Sequence, residues 1–161
     1  MSKSLLTIGA LCVSLSAAAA DAPPPPAYGA AITLDEARRC VAAAQAYAVK
    51  HQWLMVMTVV DSGGHVVLTE RMDNAQFGSL GPALKKAHTA VAFRRPTKVF
   101  EDIVAQGGAG LRIMRLDEAM PIDGGLPLLG KGRIIGAIGV SGGTSAQDGE
   151  AAAACVTALT P

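Results

Sequence analysis

Two apolar runs that each double back through a glycine turn constrain this chain more than any other feature. Residues 55–60 are apolar apart from Thr58, residues 61–64 read Asp-Ser-Gly-Gly, and residues 65–71 return with Val66, Val67 and Leu68, the pattern of a β-hairpin. Residues 125–129, a Gly-Lys-Gly turn at 130–132 and the run at 133–140 repeat it. Helical periodicity occupies the rest. Thr33 followed by Glu36 is a capping box, and Leu34, Ala37, Val41, Ala44 and Ala48 carry a first helix toward His51. A second helix is expected to open near Ser79, with Pro82 in its first turn, and to end where Pro96 biases Arg95 away from helical geometry. A short helix should follow from Thr97 to about Ala105, then a loop at 107–120 with room for a helical turn, then an alanine-rich helix capped by Ser145. Hairpins set between helices, rather than single strands alternating with helices, mean one antiparallel sheet with helices packed on it, an α+β fold.

A chain of 161 residues with a net charge of +1 can build one domain with a real core. Without a basic run it offers no footprint for nucleic acid, so a small ligand or a protein partner is expected. The first 31 residues stand apart. Lys3, the apolar stretch 5–16 and the alanines at 18–20 read as a signal peptide, residues 1–20, cleaved after Ala20. That stretch is too short and wrongly flanked for a retained membrane span. Leu11 before Cys12 is too bulky for lipoprotein processing, so a soluble periplasmic or secreted protein is expected, with no membrane contact after the signal is removed. Residues 21–31, with four consecutive prolines, read as an extended polyproline tether, and the folded domain, 32–161, begins near Ile32. The mature chain keeps Cys40 and Cys155, an even pair in an oxidising compartment. Each falls on a helix near one end of the domain. A bridge requires their Cα atoms within about 7 Å, so a disulfide and a pair of small buried hydrophobes both remain open.

Chemistry concentrates in residues 84–97. Leu84, His88 and Val91 lie side by side at helical spacing, so His88 borders an apolar surface, while Lys86, Ala90, Phe93 and Thr97 make a second stripe. Arg94 and Arg95 stand at the negative end of the helix, a position that suits a cation with or without a ligand. Elsewhere the signals are weaker. Gly136, Gly139 and Gly142 do not form a phosphate loop, and their simplest role is to let the last helix or another subunit press on a strand. Ser62 and Ser141 stand in no nucleophile elbow. His51, His65 and His88 are too far apart in sequence for a usual zinc motif. A haem iron, by contrast, needs only one or two axial side chains, an apolar wall and cations for its propionates, and the segment around His88 can supply all three.

Several motifs together resemble the GlcG/HbpS family, which includes the C-terminal domain of PduO-type proteins. They are the Asp-Ser-Gly-Gly-His turn at 61–65, Arg71-Met-Asp73, Lys86-Ala-His-Thr-Ala90, Phe93-Arg-Arg-Pro-Thr97, Ile122-Asp-Gly-Gly125, and the glycine-rich strand 135–142 followed by Gln147 and Asp148. The likeness runs from Leu34 to Ala158. It implies a profilin-like antiparallel sheet of about five strands with helices packed on it, frequent homo-oligomers including octamers, and haem binding in several members. Exported members imply haem capture, sensing with a redox or sensor partner, or slow haem degradation. The expectation is therefore an exported haem-binding protein whose ligand, haem or a small carboxylate, meets Arg71, Lys86, His88, Phe93, Arg94 and Arg95. His88 and His65 are alternative axial ligands: His65 follows the Gly-Gly turn where histidine is common in the family, and His88 is the better surrounded. The alternative is a small-molecule enzyme or accessory protein in hydroxy-acid, diol or alcohol metabolism, with Arg71 and Lys86 clamping a carboxylate and a histidine as general base. A structural or sensor subunit is the third reading.

Overall fold

The computed structural model describes residues 24–160; the expected signal peptide lies outside them. The chain runs α1 (Leu34–Lys50), β1 (Val56–Asp61), β2 (Val66–Arg71), α2 (Leu80–Phe93), α3 (Thr97–Ala105), β3 (Gly125–Gly130), β4 (Arg133–Ser141) and α4 (Ser145–Leu159). Short 3-10 turns at Phe77–Ser79 and Gly108–Arg115 precede α2 and β3. Local chemistry sets the boundaries. The Thr33 side chain accepts from the Glu36 amide while Glu36 reaches back to the Thr33 amide, so α1 starts on the expected capping box. At α4 the same box is built by Thr144 and Gln147, one residue earlier than expected. Thr144 is extended and can cap, whereas Ser145 is already helical and turns its hydroxyl to Glu101. Helix α2 stops at Phe93, because Arg94 adopts a left-handed conformation (φ 55°) and the Arg95 amide folds back to the Ala90 carbonyl.

The sheet is antiparallel with strand order β2-β1-β4-β3, four strands where about five were expected. The fifth position is only hinted at. Beyond the end of β1, residues 27–29 lie beside β4, with the Gly29 amide donating to the Ile134 carbonyl and the Ile134 amide to the Ala27 carbonyl, a single parallel bridge. The segment read as a free tether is therefore docked from Ala27 onward.

Alternating strand residues feed two layers. Met57, Val59, Ile138 and Val140 face α1 and α4, where Ala37, Val41, Ala44, Ala48, Ala151 and Ala152 are buried. Val60 and Ala137 face α2 through Ala87, Ala90 and Val91. An irregularity in the β3–β4 register at Leu128/Leu129 skips Ile135, so Ile134 joins the α2 side while Ile135 packs with α1. Small residues make the layers close. A Cβ on Gly139 would lie 2.0 Å from the Ala83 carbonyl oxygen and 2.5 Å from the Ala87 nitrogen, so the helix that this glycine admits is α2, while α4 packs on the other face of the strand.

Two cross-links join distant parts of the chain. Cys40 and Cys155 form a disulfide between α1 and α4, with Cα atoms 4.2 Å apart, which resolves the choice the sequence left open. The second link is ionic. Lys86, expected to meet a ligand, is instead buried and donates to Asp148 at 2.7 Å and to the Val140 carbonyl at 3.1 Å. Asp148 also accepts from the Gly143 amide. Burial pushes the Asp148 carboxyl upward and outweighs the Lys86 ammonium and the amide bonds that pull it down. The Gly124-Gly125 pair makes the space: a Cβ on Gly124 would lie 2.9 Å from Lys86 Nζ and 2.8 Å from Asp148 Cβ, and one on Gly125 would lie 2.5 Å from the Lys86 carbonyl oxygen.

Replacing both cysteines, Cys40→Ala with Cys155→Ala, should lower unfolding free energy by about 3 kcal/mol, since the bridge closes a long loop in the unfolded chain; urea denaturation checks it. Lys86→Met should cost about 3 kcal/mol at neutral pH by leaving a buried carboxylate without its cation. A carboxyl whose folded-state pKa is raised contributes fully below the ordinary carboxylate range and loses that contribution as pH rises through the raised value. The Lys86→Met penalty should therefore shrink in acid, and a penalty that is flat with pH would show that Asp148 does not carry it.

Candidate functional site

A cleft of about 350 Å³ opens where the first hairpin turn meets α2 and the docked N-terminal segment. Its lining includes Ser62, Gly63 and Gly64 from the turn, His88, Val91 and Ala92 from α2, Tyr28 from the segment and Glu118 from the loop before β3. Each element has a local reason to be there. Asp61 folds the turn by accepting from the Gly63 and His65 amides at 2.8 and 2.9 Å. Burial pushes its carboxyl up, but those two amides and His65 outweigh it, and the net direction is down, so Asp61 stays ionised and holds the turn. Gly64 takes φ +86°, and a Cβ there would be only 3.9 Å from His88 Nε2 and from Val91, so His88 looks at the glycine backbone. The loop carrying Glu118 is pinned by Thr89, whose hydroxyl donates to the Glu118 carbonyl and accepts from the Met120 amide.

Of the residues expected at a ligand site, the lining of the cleft contains His88, while Arg94 lines a neighbouring depression with Pro26, Pro96 and Leu126 and reaches the cleft only through Tyr28. The Arg94 guanidinium lies 5.7 Å from the centre of the Tyr28 ring. His65 sits on the same turn, but its side chain is 84% exposed and turns toward Asp61, with Nδ1 3.4 Å from Oδ1. The other four do not line the cleft. Arg71 donates to the Ala75 carbonyl beyond β2, and Lys86 is committed to Asp148. Phe93 packs edge-on against Phe100 at 5.1 Å, and Arg95 covers that ring from 5.8 Å. His51 stacks with both Tyr47 and Trp53 at the end of α1. Among the described residues no group of three His, Cys, Asp or Glu side chains could hold a bare metal ion, so any metal here would need to bring most of its own ligands.

Tyr28 was not anticipated. Its hydroxyl donates to the Val91 carbonyl at 2.9 Å, with the Ala92 carbonyl at 3.2 Å, which ties the N-terminal segment to the last turn of α2. The available signal was a lone aromatic four residues ahead of Ile32, just past the proline run, in a chain with few aromatic residues.

With that geometry in hand, comparisons with known proteins are specific. The sequence model of the family described as haem degrading protein HbpS-like matches residues 32–157. A Citrobacter freundii protein described as an uncharacterized 15.0 kDa protein in the dhaT-dhaS intergenic region is 40% identical over 121 residues, covering 74% of this chain and 85% of the relative. Protein GlcG of Escherichia coli K12 is 37% identical over 101 residues, 63% of this chain and 74% of that protein. The crystal structure of a PduOC–haem complex is similar with a TM-score of 0.72 at 33% identity, covering 80% of this chain and 94% of that one. The family match spans both hairpins and all four helices, including the turn and the helix that form the cleft, and the chain belongs to the GlcG/HbpS family.

Proposed function

We propose that this protein binds haem in the His88 cleft. The observation that carries the reading is an imidazole and an apolar flank on one opening, with a guanidinium close behind its aromatic wall: His88 with its Nε2 toward Gly64, Val91 with the Tyr28 ring, and Arg94 outside the lining, 5.7 Å from the centre of that ring. Those are the donor set, the wall and the carboxylate partner that an iron porphyrin requires. The similarity to the PduOC–haem complex supports the same ligand. His88 would hold the iron, Arg94 would pair with a propionate, and Val91 and Tyr28 would shield the bound group from water. Lys86 has no part in holding it, being buried against Asp148. Bound haem would supply the redox and oxygen chemistry; the protein supplies ligation, orientation and partial shielding.

A cleft of about 350 Å³ covers only part of a porphyrin, and that size favours one second reading, a small hydroxy acid held by Arg94 with His88 as proton acceptor. Export belongs to the leading reading. Its supports are the residues 1–20 pattern and the Cys40–Cys155 bridge, which suits an oxidising compartment. Assembly into homo-oligomers and contact with a sensor partner belong to it as well; exposed Phe77, Leu111, Met114 and Leu116 offer apolar surface for such contacts.

Haemin titration of the mature protein should give a saturable Soret shift, with sedimentation of the loaded species reporting its assembly. His88→Ala should weaken binding by at least about tenfold, while His65→Ala changes it little. The reverse ranking would move the axial role to His65, and no saturable shift together with calorimetric binding of a hydroxy acid would favour the second reading. Terminal sequencing of the exported form should begin at Asp21.

A further inference from the structure

We propose that Tyr28 determines the ligand specificity of the His88 cleft, as an aromatic wall that screens the imidazole and selects a flat, π-faced anionic ligand. The proposal rests on the haem reading but adds a residue that family membership does not supply, since the matched region starts at Ile32. Three observations carry it. The ring lines the cleft that also contains His88. It is held there from both ends: the hydroxyl donates to the Val91 and Ala92 carbonyls, and the flanking backbone pairs with Ile134 through Ala27 and Gly29. Further on, the Ile32 amide donates to the Ile135 carbonyl, so the strap is secured before α1 begins.

The chemistry follows from that anchoring. The phenol hydrogen is spent on carbonyl oxygens of α2, so the side chain offers a ligand its ring and an oxygen lone pair rather than a donor. The Arg94 guanidinium, outside the lining of the cleft, lies 5.7 Å from the centre of the same ring, which sets a positive charge near the π surface. A flat ligand bearing a carboxylate satisfies both at once, whereas a small aliphatic acid uses only the charge. Tyr28 remains 42% exposed, so its ring has surface left to bury against such a ligand.

The experiment has two arms, run on the mature protein and on Tyr28→Phe and Tyr28→Ala, with circular dichroism confirming the fold. In the first arm no ligand is added, and diethyl pyrocarbonate modification of each histidine is followed by mass spectrometry. His88 should react about fivefold faster in Tyr28→Ala, which removes the ring that covers it, and change less in Tyr28→Phe, which keeps the ring, while exposed His65 keeps its rate and serves as the internal reference. In the second arm haemin is titrated: Tyr28→Phe, which keeps the ring, should stay within about threefold of the parent, and Tyr28→Ala should fall by about tenfold. Equal His88 reactivity in all three proteins would overturn the screening role, and equal haemin affinity in Tyr28→Ala would overturn the specificity role. If the parent binds no haemin, the haem reading and its selection by Tyr28 both fail, and the first arm alone still decides whether Tyr28 covers His88.

Discussion

The ammonium of Lys86 and the carboxylate of Asp148 meet at 2.7 Å in the interior, and much of the molecule's geometry depends on that contact. The two side chains come from helices on opposite faces of the sheet, so the pair closes around the end of β4 and β3 and stops the layers from sliding. It also demands room, which is why glycines stand at 124 and 125, where the chain enters β3 and a Cβ would strike Lys86. A buried pair of this kind contributes less to stability than its short distance implies, because both ions must leave water. Its larger effect is on orientation. Two residues further along α2, His88 is turned by roughly 200° around the helix axis, so locking Lys86 toward Asp148 points His88 toward the hairpin turn.

That same pair shows where sequence reading reached and where it stopped. Periodicity and turn chemistry were enough to find both hairpins, all four helices, the short one after Pro96 included, and the α1 capping box, because each depends on residues within a few positions of one another. The role of Lys86 depends on Asp148, 62 residues away, and a lysine among cations and a histidine on one helix has the same local pattern whether it faces a ligand or an internal carboxylate. Phe93 and Arg95 show the same limit: both lie against Phe100 on α3, a packing relation that spacing along α2 does not encode. The pairing of Cys40 with Cys155 needed the two terminal helices side by side. Tyr28 was invisible for a different cause. It follows a proline run with no periodicity of its own, and its place is fixed by carbonyl groups of α2 and by an edge of β4 that opens only because β1 ends at Asp61.

Family resemblance and individual structure divide along that line. The motifs on which the family resemblance rests turn out to be largely architectural in this chain: the Asp61 turn, the glycines at 124, 125 and 139, and the lysine whose counter-ion lies in α4. Such residues preserve a frame on which different sites can be mounted. The residues closest to the cleft, by contrast, include one helical position and one N-terminal aromatic that packs on the frame from outside the family-matched region.

The disulfide gives the molecule a covalent topology as well as a packed one. Cys40 and Cys155 are 115 residues apart, and the segment between them contains all four strands together with α2 and α3. That segment is a closed ring, from which two tails emerge: the N-terminal one carrying the Tyr28 strap, and the last few residues of α4. A single protease cut inside the ring, for example in the loop before β3, leaves the two fragments joined through sulfur and still held in register by the sheet. A cut in the N-terminal tail after residue 28 frees the strap from the covalent body. The frame therefore tolerates a nick that the Tyr28 strap does not.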